Sequence, residues 1–148
     1  MESVRLIVLN AVLAILESVE GIGDTGGIKR PLLDVNTFPA AFISAGEEEV
    51  VENDIGHFIQ ISMEIHTQIW VSSYTNVDLV LEEFLPKVKK KYAADYMIGL
   101  GPTGPVRDFK YRRGSEVFPS NTTEDVSGIV LVHLVTYRER RDDPYSWQ

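Results

Sequence analysis

The run GHFIQISMEIHTQIWVSS, residues 56–73, constrains the fold more than any other part of the chain. Ile59, Ile61, Met63, Ile65, Ile69 and Val71 fall on one side of an extended backbone, with only Thr67 interrupting them. Gln60, Ser62, Glu64, His66 and Gln68 fall on the other. Side chains alternate across a strand with period two, so this pattern predicts one strand with a buried face and a polar face. At about 3.3 Å per residue it spans on the order of 40 Å, twice a usual strand, and is expected to project beyond its own core.

A second strand is expected from Val126 to Arg138. Ile129 to Thr136 is apolar except at His133 and Thr136. A strand apolar at nearly every position is buried on both faces, which calls for a helix layer or a neighbour on each. No turn residue separates it from the charged ending Glu139-Arg140-Arg141-Asp142-Asp143-Pro144-Tyr145, so a flexible tail is expected from about residue 139. A short strand is expected over Ala40–Ser44, after an extended stretch bracketed by Arg30-Pro31 and Phe38-Pro39. The acidic run Glu47-Glu48-Glu49 through Glu52 and Asp54 reads as a solvated loop. The Gly/Pro-rich segment 99–125 carries VRDFKYRR, an irregular strand or hairpin.

Two helices complete the pattern. In the first, Ser3–Val19, one stripe holds Val4, Ile7, Val8, Ala11, Ile15 and Val19, and a second holds Leu6, Leu9, Leu13 and Leu16. That arc is wider than a one-sided surface helix needs, so the helix is either sandwiched or meets another chain, with Leu9 and Leu13 as candidate interface residues. In the second, Thr75 and Asp78 resemble a capping box, and Val77, Val80, Leu81, Phe84, Leu85, Val88 and Tyr92 form the buried stripe. Pro86 is expected to kink or split it. Lys87, Lys89, Lys90 and Lys91 sit where cations suit a helix C-terminus. Together these elements predict one α+β domain over residues 1–148, an antiparallel or mixed sheet with two main helices on one face.

The chain of 148 residues has no cysteine, which removes disulfides, thiolate metal sites and cysteine nucleophiles. Its formal net charge of −8 argues against non-specific binding to phosphate backbones. The apolar run Leu6–Leu16 is too short to span a bilayer, and Glu2 opposite Arg5 with no small-x-small site argues against a signal peptide. The turn Gly21-Ile22-Gly23-Asp24-Thr25-Gly26-Gly27 lacks the lysine and hydroxyl of a phosphate loop.

His57, His66 and His133 show no metal-ligand spacing, and no HExxH or GxSxG occurs. The expectation is therefore no catalytic residue, no metal and no cofactor. The surplus lies in surface for partners: the double helix stripe, the overlong strand, and the aromatic residues Trp70, Tyr145 and Trp147. The basic clusters Lys110-Tyr111-Arg112-Arg113 and Arg138, Arg140 and Arg141 suit carboxylates across an interface, or simply keep a loop soluble.

The order of elements, with the signatures PAAFISAGEEE and TYRERRDDPY, resembles the tail terminator (tail completion) proteins of long-tailed bacteriophages over nearly the whole chain. The segment 99–125 has no counterpart in that pattern. The resemblance implies a structural, non-enzymatic virion protein that forms a homo-oligomeric, hexameric ring. Its partners would be further copies of itself, the tail tube protein and a head-completion or connector protein, with no membrane contact. It would sit at the head-proximal end of the tail, assembled in the host cytoplasm, and DNA would pass through without specific binding. In such a channel a lining of Glu47, Glu48, Glu49, Glu52 and Asp54, or of Asp142 and Asp143, would keep a duplex mobile by repulsion. The competing readings are another neck or head-completion protein, or a small oligomeric ligand-binding domain or enzyme with an acidic pocket at Glu64 and His66.

Overall fold

The long alternating run forms β3, Phe58–Ser72, and it pairs over its entire length with β6, Val126–Arg140. The pairing is antiparallel and unbroken in register, from Phe58 opposite Arg140 to Ser72 opposite Val126. The computed structural model describes residues 1–28, 37–53, 56–72, 77–120 and 125–148. Besides β3 and β6 it contains α1 (Val4–Glu17), β1 (Asp24–Ile28), β2 (Ala40–Asn53), α2 (Val77–Ala93), β4 (Val106–Gly114) and β5 (Phe118–Pro119). The strands form one open mixed sheet in the order β1-β2-β3-β6-β4, with β5 also pairing to β6 and only β1 parallel to its neighbour.

Both helices pack on one face of this sheet, and the α+β class follows from that one-sided layering. The odd-numbered residues of β3 and β6 point into the layer between sheet and helices, where Ile61, Met63, Ile65 and Ile69 meet Leu131, Val135 and Tyr137. Thr67, the one polar residue in that row, is fully buried, and its Oγ1 lies 2.9 Å from the Tyr92 hydroxyl on α2. A buried hydroxyl left without a partner costs roughly 1–3 kcal/mol, so this bond lets the row stay dry. Burial accordingly pushes the Tyr92 phenol well above its usual range.

α1 begins where the Ser3 hydroxyl accepts from the Leu6 N–H at 3.2 Å, a side-chain N-cap. It buries Val4, Val8, Leu9, Val12 and Leu16, a stripe that lies between the two expected ones, takes residues from both, and adds Val12, which belonged to neither. α2 runs unbroken through Pro86, contrary to the expected kink or split. Proline in a helix interior costs about 3 kcal/mol. Here Leu81 and Phe84 before it, with Val88 and Tyr92 after it, are all buried and hold both halves to the core. Thr75 of the expected capping box, and the Arg30-Pro31 segment, lie outside the described residues.

Two further expectations are corrected. β2 continues to Asn53, so the acidic run is strand and not loop, with register shifts after Ala45 and after Val50. Bulges at those points let a charged segment keep pairing with β3 while bending away from ideal register. The residues after 139 do not trail free. The Arg140 N–H donates to the Ser146 carbonyl at 2.7 Å, and the Val4 N–H donates to the Pro144 carbonyl at 2.9 Å. The Trp147 indole donates to the Thr103 carbonyl at 3.0 Å. These bonds fold the tail against the start of α1 and the segment before β4.

On the opposite face a small second cluster, Ala40, Phe42, Trp70 and Val126, covers one end of the sheet. Trp70 meets the Phe118 ring edge-on at 5.3 Å between centroids. Its indole lies flat over Gly128, its register partner, where an added Cβ would come within 2.5 Å of the ring. Gly128→Ala is expected to destabilise the domain by about 1–3 kcal/mol through this overpacking. Urea unfolding followed by circular dichroism measures it, and an unchanged midpoint would remove the steric account.

Candidate functional site

Away from that cluster, the face opposite the helices is largely polar, and no element among the described residues covers it. β3 contributes Gln60, Ser62, Glu64, His66 and Gln68 to it, and β6 contributes Val130, Val132, Leu134, Thr136 and Arg138. β4 adds Lys110 opposite Leu134, and Arg113 opposite Val132. The apolar residues that β6 places on this face are covered unequally: Val132 is buried, while Val130 and Leu134 stay partly exposed.

Glu64 is the centre of this face. Its Oε2 lies 3.0 Å from His66 Nε2, and its Oε1 accepts from the Arg113 guanidinium at 3.2 Å. Those two partners, His66 first, hold its carboxyl below the usual range. The His66 ring reaches across β2 at the bulge, where a Cβ on Gly46 would lie 2.5 Å from His66 Nε2. With both carboxylate oxygens engaged and the acidity strengthened, Glu64 is a poor general base, which weighs against an acid/base site at Glu64 and His66. Beside it Glu47, Glu49, Ser62, Arg112 and Leu134 line a shallow depression of about 190 Å³.

The candidate acidic residues do not share one surface. Glu49 stands opposite Ser62 on the uncovered face. Glu48 stands opposite Met63 on the helix side, paired with Arg5 of α1, and accepts from the Tyr137 hydroxyl at 3.3 Å. The Glu52 side chain and Asp54 lie outside the described residues. Asp143 accepts from the Tyr145 N–H at 3.1 Å within the folded-back tail, and Asp142 pairs with Arg140 at 3.4 Å.

The candidate basic residues divide as well. Arg138 is spent inside the chain: its guanidinium stacks 4.2 Å over the Phe58 ring and donates to the Trp147 carbonyl at 3.1 Å. Arg140 holds Asp142, and the Arg141 side chain is exposed. Lys110 and Arg112 are exposed and form none of the ion pairs found among the described residues. The lysine-rich end of α2 lines an open depression of about 440 Å³ with Glu20, a solvated helix end.

The expectation for Leu9 is corrected. Leu9 is 7% exposed within the main core and presents no outward face to a partner, whereas Leu13 packs against that core and stays partly exposed. The stripes looked doubled because α1 touches both α2 and the β1–β2 end of the sheet.

His133 is the site residue that sequence reasoning placed loosely. It is buried beneath α2, ringed by Tyr92, Phe109 and Tyr111 at 4.7–5.3 Å between centroids. Its Nδ1 has no hydrogen-bond partner among the described residues. Burial first, then the nearby Lys89, holds its pKa down to about 4, so the ring is neutral. Among the described residues no group of three or more His, Cys, Asp or Glu could hold a metal ion, and no helix is long and apolar enough to cross a membrane.

No protein-family model matches the chain, and no curated protein matches it in sequence. Among solved structures, a chain from the "Virion of native gene transfer agent (GTA) particle" aligns over 93% of this chain and 92% of that one. The identity is 12% and the TM-score 0.41, a likeness too distant to carry a functional argument.

Two outcomes follow from this geometry. Leu9→Glu places a charge in the core and is expected to abolish folding, read by loss of the helical circular dichroism signal rather than by a folded monomer. For His133 the unfolded chain takes up a proton as pH falls below about 6.5, whereas the folded chain resists until about 4. Stability therefore falls between those values, by on the order of 2–3 kcal/mol. His133→Phe should flatten the dependence of unfolding free energy on pH in that window, and an unaltered slope would show that the imidazole does not contribute.

Proposed function

We propose that this chain is a structural virion protein of the tail-terminator kind, a ring-forming cap on the end of a phage tail tube. The observation that carries the reading is the uncovered sheet face. A sheet built on two fully paired strands of 15 residues has helices on one side only. Over most of its other side it presents ordered charges of both signs beside partly exposed aliphatic residues. Such a face suits contact with other protein subunits: charge fixes register and partner choice, and apolar patches supply the area. The order of elements and the two sequence signatures supply the specific kind of assembly.

In this reading six copies close a ring, stop further growth of the tube, and offer their other side to the head connector. The net charge of −8 per chain suits a passage that repels a duplex rather than retaining it. A reading as a neck or head-completion protein shares the same surface and differs in partner.

Size-exclusion chromatography with light scattering, alone and with purified tail tubes, tests the proposal, together with negative-stain microscopy of the mixture. The expected result is a ring-sized species and density at one end of each tube. A protein that stays monomeric with tubes present, and leaves tube ends bare and still growing, would overturn it.

A further inference from the structure

The two edges of the sheet carry opposite charge. On one side β1 covers β2 only as far as Ile43, so among the described residues the stretch 45–53 has β3 on one flank and nothing on the other. That open stretch reads Ala-Gly-Glu-Glu-Glu-Val-Val-Glu-Asn, and Val50 and Val51 are 54% and 56% exposed. On the other side the outer strand is β4, the same length as that stretch, whose exposed residues include Lys110, Tyr111, Arg112 and Arg113. Lys89 of α2 stands 4.5 Å above the Tyr111 ring and adds a further cation to this edge. Neither Glu47 nor Glu49, and neither Lys110 nor Arg112, belongs to an ion pair found among the described residues, although the Arg112 side chain leans over the sheet face into the depression that Glu47 and Glu49 also line.

We propose that the acidic open edge of β2, residues 45–53, docks against the basic edge strand β4 of a second copy, so that the sheet continues from one subunit into the next. This rests on the ring reading above and specifies its contact. Strand direction permits it. β2, β3, β6 and β4 alternate in direction along the sheet, so β2 of one copy meets β4 of the next antiparallel. Glu49 lies on the same sheet face as Lys110, through their register partners Ser62 and Leu134, so opposite charges meet on the same side of the extended sheet.

The charges also select the geometry. An isologous pairing, β2 with β2 or β4 with β4, would set like charges against each other, which is destabilising. Only the head-to-tail pairing matches acid with base, and a head-to-tail contact generates a ring when its rotation closes. The bulges in both edges and their dense charge guard them against indiscriminate strand pairing. The exposed Val50 and Val51 supply apolar contact at the centre of an otherwise charged edge, opposite Tyr111 and the aliphatic stems of the lysines.

A charge swap tests the contact. Variant one is Lys110→Glu with Arg112→Glu, and variant two is Glu47→Lys with Glu49→Lys, all four residues being exposed and outside the chain's own ion pairs. Each variant alone is expected to lose the ring-sized species in light scattering while keeping the wild-type circular dichroism spectrum. Mixed in equal amounts, the two should reassemble, because every junction between unlike variants restores an acidic edge against a basic one. An alternating ring needs an even number of subunits, so the mixture also reports on symmetry. Rings formed by either variant alone, or a mixture that stays dispersed while wild type assembles, would overturn the edge contact and leave the ring reading standing. Wild type that forms no ring, with or without tail tubes, would overturn both.

Discussion

The register between β3 and β6 governs what every other residue can do. Side chains alternate sides along both strands, so a slip of one residue would carry Glu64, His66 and Gln68 under the helices and expel Ile65 and Ile69. The observed register leaves only Thr67 and His133 as polar groups on the helix side of this pair's centre, and each is accommodated differently. Thr67 is satisfied by Tyr92, so α2 is tied to the middle of the sheet by a hydrogen bond as well as by packing. His133 is kept uncharged by its surroundings, within a wall of aromatic rings. The helix layer thereby fixes the composition of the opposite face, which receives the charged partners by default.

Much of the fold was legible because its signals are periodic. The alternation through residues 58–72 and the apolar stripe of α2 follow from spacing, and the one-sided helix layer from the order of the elements. The errors arose where two physical effects compete. The glutamates of residues 47–49 read as loop because charge runs favour solvent, yet cross-strand pairing with β3 and two bulges make them strand. Pro86 read as a break because it removes a hydrogen bond, yet buried side chains on both sides hold the helix together. Leu9 read as surplus because a sequence shows how wide an apolar arc is and not how many elements touch it.

The candidate surface was legible only in part. The basic cluster around Arg112 could be seen in sequence, but Arg113 belongs to Glu64 and Arg138 to Phe58 and Trp147, pairings that span tens of residues or depend on a folded-back tail. No local pattern announces such contacts. Surface ion pairs contribute little to stability, typically under about 1 kcal/mol, so selection for folding alone leaves their placement weakly determined. The placement of glutamates along β2 and of Lys110, Arg112 and Arg113 along β4 acquires a spatial meaning only once strand order sets β2 and β4 on opposite sides of the β3–β6 pair.

The bond from the Val4 N–H to the Pro144 carbonyl does more than cap α1. It satisfies one of the donors that a helix N-terminus leaves open, and it does so with the last segment of the chain. Val4 and Pro144, far apart in sequence, are therefore held at one place on the domain. Joining them through a short linker and reopening the chain in a surface loop would change the connectivity while leaving the sheet and its edges intact. In an assembled particle, a gold or fluorescent label attached beside either residue would mark the same spot on each subunit. Two variants, one labelled at each of these positions, would thus superimpose, a ready internal standard for locating this corner of the subunit within whatever it builds.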